Sequence, residues 1–350
     1  MIGVGGSGPC LGFQIKHIGD FLHTLPALGY MKEHFPGHSP ALVVSPKIAE
    51  LAEAHPWVER LFVLDRGKGP GHLAALAGEI RRGGFESAFV FDGQDRSIMT
   101  AFLAGLKNRI GATGLYTLRG WRRFLYTADV EIRDCQGWRL ASQAQRGLMM
   151  VASRLGLEIQ PPPRPLMPKL GPEHRAKAEE LLNEFEPGGS GPLIGLTLQG
   201  LQPEKSWPLA DFSALARKLH QEFQARLFVT GGPGESSAAE VLAESSGVPV
   251  KNFCGRTGLL DLVALADQSD LYITVDTGTS HVVALTETPL ISIFIWTSPA
   301  LWPPLTPHLR VLCYNWGLAR FKLTAEDGPW RSAPVITPEM VFEEAVSFLR

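Results

Sequence analysis

Asp20 follows Gly19 where an apolar run gives way to a helical pattern, and it is the first residue whose type and place allow chemistry. In an open α/β sheet, ligands collect in the crevice beyond the carboxyl ends of the strands, so a carboxylate there can take a proton from an attacking hydroxyl. The same placement suits a helix-capping Asp that accepts backbone N–H bonds, and position alone leaves both roles open. In the second half, Lys205 opens Lys205-Ser206-Trp207-Pro208, a loop ahead of a helix that begins near Pro208. A lysine in such a loop is ordinarily a solvated charge; beside a nucleotide diphosphate it would offset the charge of a leaving group.

Thr230-Gly231-Gly232-Pro233-Gly234-Glu235 ends a β-rich run and lets backbone approach a ligand closely. Glu235 can accept hydrogen bonds from ribose hydroxyls, or it can be a favourable acid in a first helical turn. The sharpest cluster is Asp276-Thr277-Gly278-Thr279-Ser280-His281, after an apolar strand. Small residues and hydroxyls at a helix start leave N–H groups pointing outward for phosphate oxygens. Capping by Thr279 and Ser280 and a core position for His281 are the structural alternatives, and the company of an Asp and a Gly weakens them. Arg119, Arg122 and Arg123 flank Trp121, with Arg139 and Arg146 further on. They form a solvated basic face or the partners of an acceptor that carries carboxylates or phosphates. Gly3-Val4-Gly5-Gly6-Ser7-Gly8 matches a dinucleotide-binding pattern, yet no strand precedes it and no helix follows directly, so it reads as a flexible lead.

These residues need a scaffold of strands that end at a common edge. In the first half, strands are expected over residues 11–16, 41–44, 61–64 and 87–91, and helices after Ile18-Gly19 through Phe35 and over 48–54, 73–82 and 138–155. The first helix repeats Leu22, Leu25, Leu28, Met31 and Phe35 at three- and four-residue steps. Residues 160–172 are too proline-rich for helix or central strand and read as a stiff linker. After a helix at 173–185 the alternation restarts, with strands at 193–198, 226–230, 271–275 and 290–294 and helices at 209–223, 236–245, 259–267 and 280–286. A last amphipathic helix follows at 338–349. The expected fold class is α/β, with Rossmann-like domains at 1–165 and 166–337 and a C-terminal helix at 338–350.

Bulk composition bounds the function. The 350 residues exceed what one core usually holds, ~250–300. A net charge of -2 argues against a nucleic-acid partner, whose affinity would come from many phosphate neutralisations. No run approaches ~20 apolar residues and no secretory leader opens the chain, so a cytoplasmic protein is expected. Cys10, Cys135, Cys254 and Cys313 lie far apart, without zinc-ligand spacing, and read as reduced thiols. No metal site is expected.

Taken in order, Gly19-Asp20 with His23-Thr24-Leu25-Pro26-Ala27-Leu28, Lys205-x-Trp207-Pro208, Gly231-Gly232-x-Gly234-Glu235 and Asp276-Thr277-Gly278-x-Ser280-His281 resemble glycosyltransferase family 9. That family holds the ADP-heptose:lipopolysaccharide heptosyltransferases, and the resemblance runs over about residues 11–305. It implies a glycosyltransferase B architecture, two Rossmann-like domains with parallel sheets facing a central cleft, acceptor on the N-terminal one and ADP-heptose on the C-terminal one. It also implies inverting transfer without a divalent metal or cofactor. By the same resemblance Asp20 takes the place of the base, Lys205 that of the lysine near the donor phosphates, and Glu235 that of the acid on the adenosine ribose. Asp276, Thr277, Gly278, Thr279, Ser280 and His281 match the loop that holds the diphosphate and the donor sugar. The implied partners are ADP-heptose or a related nucleotide sugar and a lipid A core or related glycan, whose lipid would bring transient contact with the inner leaflet.

The chain departs from the family pattern at Lys16-His17, at Leu198-Gln199-Gly200-Leu201-Gln202 and at Ile295-Trp296-Thr297. The rival readings are a nucleotide-sugar epimerase, which needs further acid and base residues, and a non-catalytic sugar-nucleotide-binding protein, against which Asp20 and Lys205 together argue.

Overall fold

The computed structural model describes residues 9–34, 40–113, 120–131, 142–156, 162–186, 189–200 and 202–350. The glycine-rich lead, Arg119, Cys135, Arg139 and Leu201 lie outside the described residues. The chain divides into two compact units, Met1–Lys169 and Leu170–Arg350, within the proline-rich stretch.

The first unit runs β1 (Cys10–Gln14), α1 (Ile18–Leu22), α2 (Leu25–His34), β2 (Ala41–Val44), α3 (Pro46–Ala54), β3 (Arg60–Val63), α4 (Pro70–Arg82), β4 (Ser87–Val90), α5 (Asp95–Leu103), β5 (Asn108–Thr113), β6 (Ala128–Glu131) and α6 (Gln143–Leu155). A 3-10 turn at Gly120–Leu125 precedes β6. The strands form one parallel sheet in the order β3-β2-β1-β4-β5-β6. A parallel sheet covered on both faces requires continuous apolar strands, and β1, β2 and β4 are buried along their whole length. Leu11, Phe13, Val43, Phe62, Val90 and Ile98 share one core cluster.

The single helix expected after Ile18-Gly19 is two helices, α1 and α2, and the first already begins at Ile18. Pro26 has no N–H to offer the carbonyl four residues back, which stops α1. The hydroxyl of Thr24 instead donates to the Asp20 carbonyl at 2.9 Å. Ser142 caps α6 by accepting from the Gln145 N–H while the Gln145 side chain accepts from the Ser142 N–H. This capping box sets the helix start after Ser142, later than the apolar pattern suggests.

The second unit runs α7 (Pro172–Leu182), β7 (Leu193–Thr197), α8 (Leu209–Phe223), β8 (Arg226–Val229), α9 (Ser236–Ser246), β9 (Val250–Asn252), α10 (Leu259–Asp267), β10 (Leu271–Val275), α11 (Gly278–Val283), β11 (Leu290–Phe294), β12 (Leu309–Tyr314), α12 (Asn315–Ala319), β13 (Arg331–Ala333) and α13 (Pro338–Leu349). Its parallel sheet has the order β13-β12-β11-β10-β7-β8-β9. Both sheets therefore reverse winding beside their first strand, between β1 and β4 and between β7 and β10. Such switch points open the crevices in which α/β proteins bind ligands.

Gly195 in β7 makes room for a ring: a Cβ there would stand 2.3 Å from Tyr272 of β10. The Tyr272 hydroxyl, fully buried, meets the Thr230 hydroxyl at 2.6 Å. The C-terminal helix α13, set apart in the sequence reading, buries Val341 and Ala345 in the second unit's core and packs on α8. Cys10, Cys254 and Cys313 are buried, and burial pushes their thiols up to about 12, 11 and 12. No helix among the described residues is long and apolar enough to cross a membrane.

Candidate functional site

In the first unit the segment after β1 is laced to its neighbours by buried polar groups. Asp92, just past β4, accepts from the Ile15 N–H at 2.9 Å, the Gln94 N–H at 2.9 Å and the Ser97 hydroxyl at 2.8 Å. Gln14, at the end of β1, donates to the Asp20 carbonyl at 3.4 Å and to the Thr24 hydroxyl at 3.1 Å, and accepts from the Lys16 N–H at 3.4 Å. Both side chains are almost wholly buried. Asp20 is thus carried on a segment fixed from two strands. It stands in the first turn of α1, and the N-cap position belongs to His17.

Asp20 lines a cavity beyond the ends of β1 and β4, together with Gln14, Lys16, His23, Tyr126 and Arg146. Arg146, one of the scattered basic residues in the sequence, is a buried wall of that cavity. Burial pushes the Asp92 carboxyl up to about 6, against the pull of its three donors and of Lys16. The signal for Asp92 was of the same kind as for Asp20, a carboxylate that follows an apolar strand.

Arg122 pairs with Asp95 at 2.7 Å and lines a second concavity with Arg66 and Arg96. Gly93 borders both hollows, so a cationic wall adjoins the Asp20 cavity. Arg123 on the same turn is exposed. The expected roles of Arg119 and Arg139 fall outside the described residues.

In the second unit the β7/β10 switch point brings Lys205 and Asp276 together, Nζ to Oδ2 at 2.9 Å. Trp207 anchors the Lys205 loop: it is buried, donates from its indole N–H to the Ile336 carbonyl at 3.0 Å, and meets Phe212 edge-on. Gly200 permits the approach, because a Cβ there would lie 2.6 Å from the Lys205 Cβ. Thr297, at one of the departures from the family pattern, donates its hydroxyl to the Asp276 carboxylate. Asp276 is thereby a buried carboxylate held by a cation and a hydroxyl.

Thr277 is the N-cap residue of α11, and Gly278 and Thr279 open the helix, where first-turn N–H groups have no intrahelical acceptor. Ser280 turns inward and donates to the Thr277 carbonyl at 2.6 Å, so it serves the local backbone. Glu235 follows β8. Its Oε1 accepts from the Gly232 N–H at 3.0 Å, while Oε2 is buried and accepts no hydrogen bond among the described residues. Burial raises the Glu235 carboxyl above its ordinary value, with the Gly232 N–H acting against it.

Burial pushes the His281 imidazole down to about 4; Asp276 pulls it up and Lys205 pushes it further down. The unfolded chain takes up this proton near pH 6.5 and the folded chain only near 4, so stability falls as pH drops through that window. At ~1.4 kcal/mol per unit, the loss approaches ~3 kcal/mol by pH 4. His55, lowered by burial to about 4, acts alike in the first unit, whereas Asp92, raised to about 6, contributes in the opposite sense between about 4 and 6. A thermal-melt series from pH 7 to pH 4 should show a steep loss of stability in the second unit that His281→Gln flattens. An unchanged slope in that variant would mean the imidazole is not held neutral.

Comparison with known proteins agrees with the geometry. The model of glycosyltransferase family 9 (heptosyltransferase) matches residues 73–330. The chain is 29% identical over 300 residues to the lipopolysaccharide heptosyltransferase 2 of Escherichia coli K12, covering 80% of this chain and 82% of that one. The solved E. coli ADP-heptose lps heptosyltransferase II has a similar fold, with a TM-score of 0.73, 20% identity and coverage of 97% of this chain and 98% of that one. The E. coli heptosyltransferase WaaC, solved with ADP, gives a TM-score of 0.69 at 20% identity, over 97% and 98% of the two chains. The two switch-point sites accordingly sit on a glycosyltransferase B fold, and the chain belongs to glycosyltransferase family 9, the heptosyltransferases.

Proposed function

We propose that this enzyme is an inverting heptosyltransferase that moves heptose from ADP-heptose to a lipopolysaccharide core or related glycan, with donor residues in the second unit and acceptor residues in the first. The observation that carries this reading is the Lys205–Asp276 pair at 2.9 Å, held at the β7/β10 switch point beside the opening turn of α11. A fixed cation and a set of outward N–H groups suit a nucleotide diphosphate. The names of the relatives support the choice of sugar and acceptor: one E. coli relative is a lipopolysaccharide heptosyltransferase, and another was solved with ADP.

In the proposed step an acceptor hydroxyl attacks the anomeric carbon of the donor. The bond from that carbon to the diphosphate oxygen breaks, and the hydroxyl proton passes to Asp20. Lys205 and the N–H groups at Gly278 and Thr279 offset charge gathering on the departing ADP. A single displacement inverts the anomeric centre. The Oε2 of Glu235, which accepts no hydrogen bond among the described residues, offers an acceptor for a ribose hydroxyl. Asp276 and Thr277 shape the phosphate loop, with Ser280 and His281 packed behind it. On the acceptor side Arg122 and Arg123, with Arg66 and Arg96, suit the carboxylates or phosphates of a core oligosaccharide. The proposed location is the cytoplasm, with peripheral contact at the inner membrane.

A thermal-shift series with ADP, ADP-heptose, UDP, GDP and NAD tests the donor. A ligand at 100 times its dissociation constant stabilises by ~2.7 kcal/mol. The adenine diphosphates are expected to give the largest shifts. Equal stabilisation by NAD would point to a dehydrogenase-like function, and a uridine preference would keep the fold and lose the heptose.

A further inference from the structure

α5 carries Met99, Phe102 and Leu103 at three- and four-residue spacing, on one face, and all three are exposed. The 3-10 turn beside it adds Trp121 at 56% and Phe124 at 85% exposure. The turn is fastened along α5 at both ends. Arg122 pairs with Asp95 at the helix start. Arg109 donates to the Leu125 carbonyl and lies over the Phe102 ring, 5.4 Å from its centroid. The five side chains therefore make one surface instead of scattered exposed residues.

That surface has a basic rim. The described residues between 95 and 125 hold Arg96, Lys107, Arg109, Arg122 and Arg123 against the single carboxylate of Asp95, in a chain whose net charge is -2. Arg81 of α4 adds a guanidinium at the end of α5, donating to the Leu103 carbonyl at 2.6 Å.

We propose that this face of the first unit docks on an anionic lipid bilayer, Trp121 and Phe124 entering the headgroup boundary and the rim arginines meeting lipid phosphates. An apolar face with aromatic residues and a cationic border is the chemistry of an interfacial surface. A second copy of the chain fits less well, since a two-fold contact would set like-charged rims against each other. The patch also runs into the acceptor side: Arg122 lines the cationic hollow and Tyr126, just past the turn, lines the Asp20 cavity. A lipid-linked acceptor would thus reach its site without leaving the membrane. The inference rests on the glycosyl-transfer reading for its purpose, and its test does not.

The test is sedimentation of the full chain with vesicles of phosphatidylcholine alone and of phosphatidylcholine mixed with phosphatidylglycerol. Binding to the mixed vesicles is expected, weakened by salt and lowered ~10-fold or more by the Trp121→Ser/Phe124→Ser double variant. The double variant should keep the wild-type melting temperature and ADP binding, and should still glycosylate a deacylated, water-soluble acceptor. Wild-type protein that ignores anionic vesicles would overturn the proposal, as would a double variant that binds them equally well. A wild-type dimer that the double variant converts to monomer would assign the patch to a protein contact and likewise overturn it. Transfer to the deacylated acceptor separately decides the glycosyl-transfer reading, whatever the vesicles show.

Discussion

Asp20→Asn should lower kcat by roughly 10²–10⁴-fold while leaving the fold and ADP binding close to wild type. Two contacts that position the segment use the Asp20 main chain: its carbonyl accepts from Thr24 and Gln14, and the substitution leaves both in place. Asparagine at this position removes a favourable charge from a first helical turn, a cost of about 0.3–1 kcal/mol. The N-cap position is held by His17, and Asn keeps a side-chain oxygen able to accept backbone N–H bonds, so the helix start should survive the change. The proposed donor residues Lys205, Glu235 and Asp276 all belong to the other compact unit, so nucleotide affinity should not follow the change. An amide cannot take up the hydroxyl proton, and that deficit falls on turnover. Single-turnover assays with ADP-heptose, run beside thermal melts and ADP titrations, separate these quantities. Turnover within a few-fold of wild type would remove Asp20 from the chemistry.

What could be read in the sequence follows burial. β1, β7, β10 and β11 are buried along their length, so their apolar runs stand out. The edge strands β9 and β13 have three residues each and no buried position, and nothing in Val-Lys-Asn or Arg-Ser-Ala marks them as strands. α5 buries Ile98 and Ala101 and exposes Met99, Phe102 and Leu103, so both of its faces are apolar and the helical period is blurred. Asp20 and Lys205 were visible because each follows a strand. Asp276 was visible for the same reason, but its pairing with Lys205 and the reach of Asp92 to the segment after β1 were not, because adjacency of strands is not a local property. Asp92 reaches Ile15 across 77 positions, and Asp276 reaches Lys205 across 71. In both cases the contact exists because the first strand of the sheet lies beside the fourth, at the switch in winding.

The Lys205–Asp276 pair makes the second strong prediction, because two accounts of it diverge. Lys205 is partly exposed and Asp276 nearly buried, with side-chain exposures of 23% and 6%. If the lysine serves only the fold, Lys205→Ala takes the cation from a buried carboxylate to which Thr297 still donates, and breaking such a pair can cost about 3–5 kcal/mol. Removing both charges in Lys205→Ala/Asp276→Asn should then restore much of the stability and, on that account, much of the activity. If Lys205 instead faces the donor diphosphate, it meets charge present in both ground and transition states. Lys205→Ala should then raise the donor KM and lower kcat together, reducing kcat/KM by roughly 10²–10³-fold. The double variant should recover its melting temperature and remain as inactive as the single one, since no cation returns to the site. The decisive comparison is therefore between melting temperature and kcat/KM for the wild type, both single variants and the double. Recovery of both in the double variant would make Lys205 a structural residue, and recovery of stability alone would leave it on the phosphates.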